Sequence, residues 1–298
     1  MRLAPTPPAE LVERLQPQLR TVRIDRRSLV FLDVGRGPTV LLIHGLGQTW
    51  HGWAAIVEDL ARDHRVIAVD LPGSGLSDRL PWSRDLAPYA AGLVELLELL
   101  GATPALVVGH SMGGIIGQRV ALQLGSRCTG LLLSASAGMA IPRMRLDAIS
   151  CGLTLVRAIF YTRCATRAIW RVKPLRDAVI AGFVADPAAL SADYALLLCG
   201  GYRGPGYWRA LRAARSDQIR LRAAALSVPT VLVWGDRDPL IPPALSRELA
   251  VSIDGAETHE WAGVKHAPHL ERPPEFNDLI RTLGKSRQAR NSPSSRLA

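Results

Sequence analysis

The chain is poor in cysteine and has no long apolar run, and both shortages narrow what it can be. Its 298 residues hold four cysteines, Cys128, Cys151, Cys164 and Cys199, separated by 23, 13 and 35 positions with no Cys-x-x-Cys pair. Such spacing suits neither a zinc site nor a disulfide framework, so small buried hydrophobes or free thiols, no metal and a cytoplasmic setting are expected. Arg or Asp interrupts every apolar stretch before it reaches the ~18 residues of a membrane span. The first fifteen residues carry three prolines and two glutamates where a secretory leader needs an apolar segment, so no export is expected. With 48% apolar and 21% charged residues, the chain is no collagen, coiled coil or disordered acidic protein. Its length suffices for a large core without staples.

Carboxylates are scarce where positive charge concentrates. Residues 142–222 hold thirteen Arg and one Lys against five Asp and no Glu, a net +9. Residues 285–298 add +4 through Lys285, Arg287, Arg290 and Arg296, leaving −3 for the rest of a chain whose total is +10. The middle of the chain therefore reads as a separate layer with its own surface chemistry. The last stretch, rich in Ser and Arg and nearly free of apolar residues, reads as a basic, disordered tail over 285–298.

Hydrophobic periodicity sets the class. Residues 21–24 and 29–34 pair as strands, and Thr39–Ile43 is a continuous apolar run of the kind found in a strand buried on both faces. Residues 66–69, 105–108, 131–133 and 230–234 repeat that signature, with a helix over 86–100 closed by Gly101. Strands alternating with helices predict an α/β fold around a mainly parallel sheet. The alternation stops over about 139–225, where runs of helical length at 153–172, 186–199 and 207–215 replace it.

One motif carries chemistry on its own. Gly109-His110-Ser111-Met112-Gly113 stands between a predicted strand and the predicted helix 115–124, where a sharp turn lifts a serine hydroxyl above the sheet. A serine needs a base and a group to orient that base. His266 and His269 stand after the last strand as bases, and Asp236 and Asp238 follow the strand at 230–234 as acids.

These residues resemble the α/β-hydrolase fold superfamily over about 20–283. The resemblance rests on His44-Gly45-Leu46-Gly47, the serine turn, the G-x-x-D-x-x-x-P element from Gly235 to Pro242, and the H-x-x-x-x-E-x-P element from His266 to Pro273. Asp70-Leu71-Pro72-Gly73-Ser74-Gly75-Leu76-Ser77-Asp78 also matches the family's loop after the fourth strand. Lys265 departs from the glycine many members have before the catalytic histidine. The resemblance implies a doubly wound, mostly parallel, eight-stranded sheet, with a core over 20–138 and 226–284, a helical lid insert over 139–225 and an N-terminal extension over 1–19. It implies Ser111 as nucleophile, Asp238 as acid and His266 as base, with the N–H groups of Leu46 and Met112 as oxyanion hole and no cofactor. Asp236 is then a turn-capping carboxylate and His269 a structural residue. An acid after the sixth strand is excluded, because residues 131–144 contain no Asp or Glu.

The implied activity is hydrolysis of a small-molecule carboxylic ester or thioester. Cleavage of a carbon–carbon bond in a β-diketone-like substrate, and ligand sensing without turnover, are the alternatives. His44, Trp50, Tyr207 and Trp208 are the candidate substrate contacts, with His44 also bracing the oxyanion turn and His110 directed away from the cleft. Glycines around Tyr202, Tyr207 and Trp208 suggest either a hinge or a packing surface. Arg163, Arg167 and Arg171 share a helical face that would attract an anionic substrate, adsorb to an anionic lipid surface, or simply face water. No recognition motif supports nucleic-acid binding.

Overall fold

The computed structural model describes residues 9–81, 83–136, 143–217 and 225–290. Its centre is an eight-stranded sheet of β1 (Leu19–Ile24), β2 (Arg27–Val34), β3 (Thr39–Ile43), β4 (Arg65–Val69), β5 (Ala105–His110), β6 (Cys128–Ser134), β7 (Thr230–Gly235) and β8 (Glu257–Trp261). The spatial order is β1-β2-β4-β3-β5-β6-β7-β8. Asp25 and Arg26, both at positive φ, make the two-residue turn that folds β1 antiparallel onto β2, and β2 pairs antiparallel with β4. All later neighbours are parallel.

Parallel neighbours cannot be joined by a tight turn, so helices bridge them. Before the sheet comes α1 (Ala9–Leu15); α2 (Ala54–Leu60), α3 (Ala87–Leu99) and α4 (Met112–Leu124) link β3 through β6 in turn. After β7 come α10 (Pro243–Val251), α11 (Pro268–Glu271) and α12 (Pro273–Arg290). Side chains alternate across each strand. Leu41, Ile43, Ile67 and Val107 pack under α3 and α4, whereas Val40, Leu42, Ala68 and Val108 pack under α2 and α12. Each buried Val, Leu or Ile among them contributes about 1.5–3 kcal/mol.

Because β4 lies on one side of β3 and β5 on the other, the chain changes winding direction at β3. The loops leaving β3 and β5 therefore diverge side by side at the carboxyl edge, the place where open α/β sheets leave a crevice.

Between β6 and β7 the chain leaves the sheet for α5 (Arg143–Tyr161), α6 (Arg163–Arg171), α7 (Lys173–Ile180), α8 (Ala192–Leu198) and α9 (Tyr207–Asp217). The expected run at 153–172 is two helices, broken at Thr162, whose extended backbone caps α6. The final helix continues to Arg290, into the stretch expected to be disordered; residues 291–298 lie outside the described residues. No helix among the described residues is long and apolar enough to cross a membrane.

The glycines of the insert mark close backbone approach rather than a hinge. A Cβ on Gly206 would lie 2.6 Å from Gly73 Cα, and one on Gly201 would lie 2.0 Å from the Gln48 carbonyl oxygen. The Gly206 N–H donates to the Gly73 carbonyl at 3.0 Å. At the far end of α9, the buried Asp217 accepts from the Arg119 guanidinium and the Leu86 N–H, tying the insert to α3 and α4. Gly206→Ala is accordingly expected to lower unfolding free energy in urea by about 2 kcal/mol through overpacking. Gly152→Ala, in mid-α5 with open space around it, should raise stability by about 0.5–1 kcal/mol. Equal effects of the two would contradict this packing.

Candidate active site

The serine turn is built by backbone contact. Ser111 joins β5 to α4 with φ 54° and ψ −120°, a conformation that costs a non-glycine residue about 1–3 kcal/mol and persists only where the surroundings enforce it. They do so here through glycine. A Cβ on Gly109 would lie 2.4 Å from the Gly113 carbonyl oxygen, and one on Gly113 would lie 2.2 Å from that of Ile43. The start of α4 is thereby pressed onto the end of β3, and the Ser111 N–H is held by the Ser134 carbonyl at 2.9 Å.

Beside it lies the turn after β3. His44 donates through Nδ1 to the Gly45 carbonyl at 2.7 Å and accepts the Leu71 N–H at Nε2 at 3.0 Å, which fixes one neutral tautomer. Gln48 Oε1 accepts the Gly45 N–H at 3.0 Å. The Leu46 and Met112 N–H groups donate to no protein acceptor among the described residues. Both stand where the turns meet, the second at the N-terminus of α4, whose dipole favours negative charge. Gly47, at φ +77°, completes the turn; a Cβ there would strike the Tyr202 ring at 2.6 Å.

The loop after β7 presents Asp238 and the loop after β8 presents His266. His266 Nδ1 donates to Asp238 Oδ2 at 2.7 Å, with both side chains buried. Asp238 Oδ1 accepts the Leu240 and Ile241 N–H groups at 2.8 and 2.9 Å, so the carboxylate cannot turn away. Asp236 instead accepts the Gly263 N–H at 2.7 Å, the turn-capping place expected of it. His269 is buried against Trp53, ring centroids 4.5 Å apart, away from Asp238. Lys265, the departure from the family pattern, donates its backbone N–H to Glu271, and its ammonium reaches the Ala181 carbonyl on the insert.

Ser111 and His266 line one cavity of about 50 Å³ with Gly45, Leu46, Gln48, His110, Leu240 and Ile241. Ile149 and Leu153 of α5 and Phe183, just after α7, cover it from the insert. Phe183 and Gln48 also border a second cavity of about 20 Å³ reaching towards Leu190, Leu198 and Leu270. Both are far below the several hundred Å³ of a site that encloses a drug-sized ligand. Among the described residues no cluster of His, Cys, Asp and Glu is placed to hold a metal ion.

Several expected substrate contacts lie elsewhere. Trp50 is buried, its N–H on Asp70 and its ring stacked on His51 at 4.2 Å; it anchors the segment before α2 rather than lining the cleft. Tyr207 is buried against Tyr202, under the Arg157 guanidinium 4.8 Å from its ring. Trp208, 51% exposed, borders a groove between α5 and α9. Glycine-flanked aromatics look mobile in sequence, but here they fill the joint between insert and core. His44 braces the turn and does not line the cavity. Arg167 and Arg171 are exposed and do not line it either, while the Arg163 side chain lies outside the described residues. His110, expected to point away, borders the cavity and donates through Nε2 to the His266 carbonyl at 2.8 Å, its other nitrogen 3.1 Å from Gln48. Gln48, Ile149, Leu153 and Phe183 were not singled out from sequence. Leu240 and Ile241 occupy the variable positions of the acid motif, the one signal that pointed near them.

A family model for the alpha/beta hydrolase family matches residues 40–279. The chain belongs to the alpha/beta hydrolase family. This alpha/beta hydrolase is 28% identical over 283 residues to an uncharacterized protein of Mycobacterium tuberculosis, covering 88% of this chain and 79% of the relative. It is also 28% identical to the pimeloyl-[acyl-carrier protein] methyl ester esterase of Chromobacterium violaceum, covering 84% of this chain and 95% of the esterase. Among solved structures, the meta-cleavage product hydrolase of Pseudomonas fluorescens IP01 superimposes with a TM-score of 0.73 at 22% identity, over 90% of this chain and 97% of that one, a likeness of fold.

The histidines around the site make this hydrolase sensitive to acid. Burial lowers His44 and His51 to about 4 and His269 to about 3, and burial with neighbouring His269 and His266 holds His110 well below its ordinary value. Below pH 6.5 the unfolded chain takes up protons that the folded one refuses, so the stability these groups contribute above pH 6.5 is lost as pH falls towards 4. Asp70 and Glu271 work the other way: burial raises Asp70 to about 6 and Glu271 above its ordinary value, so the folded chain binds their protons first. Four groups outweigh two. At about 1.4 kcal/mol per proton per pH unit, the unfolding free energy in urea should fall by at least about 3 kcal/mol from pH 7 to pH 5, and a flat profile would contradict the burial. Gly47→Ala should cut catalytic turnover at least about tenfold by displacing the neighbouring Leu46 N–H, and unchanged turnover would remove this turn from the site.

Proposed function

We propose that this protein is a serine hydrolase that cleaves a carboxylic ester or thioester through an acyl-enzyme on Ser111. The observation that carries the reading is the buried His266–Asp238 hydrogen bond at 2.7 Å opening onto the cavity of Ser111, with two uncommitted N–H groups beside it. With its Nδ1–H held by Asp238, His266 keeps Nε2 unprotonated as the base. Nε2 takes the Ser111 proton as Oγ adds to the carbonyl carbon, and the Leu46 and Met112 N–H groups hold the charge on the carbonyl oxygen. Collapse of this tetrahedral species breaks the bond to the leaving alcohol or thiol, which receives the proton from His266. Water, deprotonated by the same imidazole, then attacks the acyl-serine; carboxylic acid leaves and Ser111 regains its proton. A preorganised donor of this kind is worth about 2.7–4 kcal/mol in the transition state.

The insert acts as a lid over this chemistry, and its lining selects the acyl group. Ile149, Leu153, Phe183 and Ile241 are apolar, and among the described residues no cation from the insert lines the cavity. This favours a neutral acyl group over the anionic substrate that the arginine face suggests. The Chromobacterium relative, a methyl ester esterase by name, acts on the same bond class.

Nitrophenyl esters of short, medium and long neutral acyl chains, assayed beside a hemisuccinate ester, test the proposal. Ser111→Ala and His266→Ala should each lose about a thousandfold or more in kcat/KM, and His269→Ala less than about tenfold. The wild type should prefer a neutral acyl group. Equal rates for wild type and Ser111→Ala would end the proposal; loss in His269→Ala with retention in His266→Ala would reassign the base.

A further inference from the structure

The outer face of α5 has no role in the site. Ile149 and Leu153 turn inward to Ser111, and at 3.6 residues per turn the opposite side of the helix carries Met144, Ala148, Cys151 and Leu155. Met144 is 87% and Leu155 66% exposed, and Cys151 is exposed as well. From Ala148 to the end of the helix the only charged residue is Arg157, and it is buried under the aromatic residues of the insert. An exposed, uncharged stripe of about three turns is unusual on a segment this rich in arginine.

The charge beside it is mainly positive, and the one carboxylate of α5, Asp147, is paired with Arg215. Arg143 and Arg145 stand at the start of the same helix, one on either side of the stripe. Arg212 shares with Cys151 the groove between α5 and α9. All three are exposed and, among the described residues, none has a carboxylate partner, whereas Arg215 is paired with Asp147. The surrounding segment 142–222 carries +9. A second copy of this chain would bring the same positive field against itself, so the stripe is not shaped for self-association. Apolar residues flanked by unpaired arginines match a surface that is anionic outside and apolar beneath.

We propose that the outer face of α5 docks on an anionic lipid surface, with Met144, Cys151 and Leu155 entering the acyl boundary and Arg143, Arg145 and Arg212 meeting lipid phosphates. The proposal is independent of the catalytic reading, because none of these six residues lines the Ser111 cavity.

Sedimentation of the full chain with sucrose-loaded vesicles tests it. Three parts phosphatidylglycerol to seven of phosphatidylcholine would be compared with pure phosphatidylcholine at about 0.1 and 0.5 M salt, a range over which screening separates electrostatic from apolar binding. The wild type should bind the anionic vesicles at least tenfold more tightly than the neutral ones, and more weakly at high salt. Met144→Glu with Leu155→Glu, and separately Arg143→Gln, Arg145→Gln and Arg212→Gln together, should each weaken binding at least tenfold. Melting temperature and hydrolysis of a water-soluble ester should stay unchanged, since all five positions are exposed. Failure of the wild type to bind anionic vesicles would overturn the proposal. Binding that survives both sets of changes would place the contact elsewhere, for instance on the basic C-terminal stretch. Concentration-dependent self-association abolished by the glutamates would show the occupant to be a second copy.

Discussion

Two turns touch through their backbones, and the site depends on that contact. Gly113 lies against the Ile43 carbonyl and Gly109 against the Gly113 carbonyl, at separations no Cβ tolerates. This pressure holds Ser111 at positive φ and sets the turn after β5 beside the turn after β3. It exists because β3 is the strand at which the sheet changes winding direction, so that β3 and β5 are neighbours whose loops part company. Remove the contact, and both the half-buried serine and the open N–H pair lose their geometry.

Around that contact the polar groups are held in single arrangements. His44 is locked by Gly45 on one nitrogen and Leu71 on the other, and Asp238 by two N–H groups and His266. His110 links the serine turn to the His266 loop through a carbonyl. Such a buried network is costly if any member is missing and rigid when complete. The insert adds the apolar cover, and some of its arginines bond within it, Arg157 to the Tyr202 carbonyl and Arg203 to that of Phe160, while Arg119 of α4 reaches across to Asp217 of the insert. What is left unpaired faces outward.

The sheet's centre and the serine turn were legible because both depend on local pattern, whereas the choice of Asp238 over Asp236 and of His266 over His269 rests on the family resemblance. Thr39–Ile43 reads as a doubly buried strand from its apolar run alone, and the Gly-x-Ser-x-Gly turn needs its glycines wherever it occurs. The edge was not legible. β8 is Glu-Thr-His-Glu-Trp, mostly exposed, with no apolar alternation to betray it; the eighth strand came from the family resemblance rather than the pattern. The break between α5 and α6 was missed because Thr162 carries no proline or glycine signal. The aromatic residues were misjudged for a tertiary reason. Trp50 and Tyr207 neighbour motifs in sequence, yet their rings fill joints whose existence depends on how the insert lands on the core. Which insert residues cover Ser111 follows from the same docking, so Phe183 had no signal of its own.

The central claim is a covalent bond to one serine. Wild-type protein quenched in acid while turning over a nitrophenyl ester, then digested and mapped by mass spectrometry, tests it most directly. The expected result is the mass of the acyl group on the peptide containing Ser111 during turnover, and its disappearance once substrate is exhausted. An acyl group on another residue throughout turnover, or turnover that continues with Ser111 chemically blocked, would contradict it.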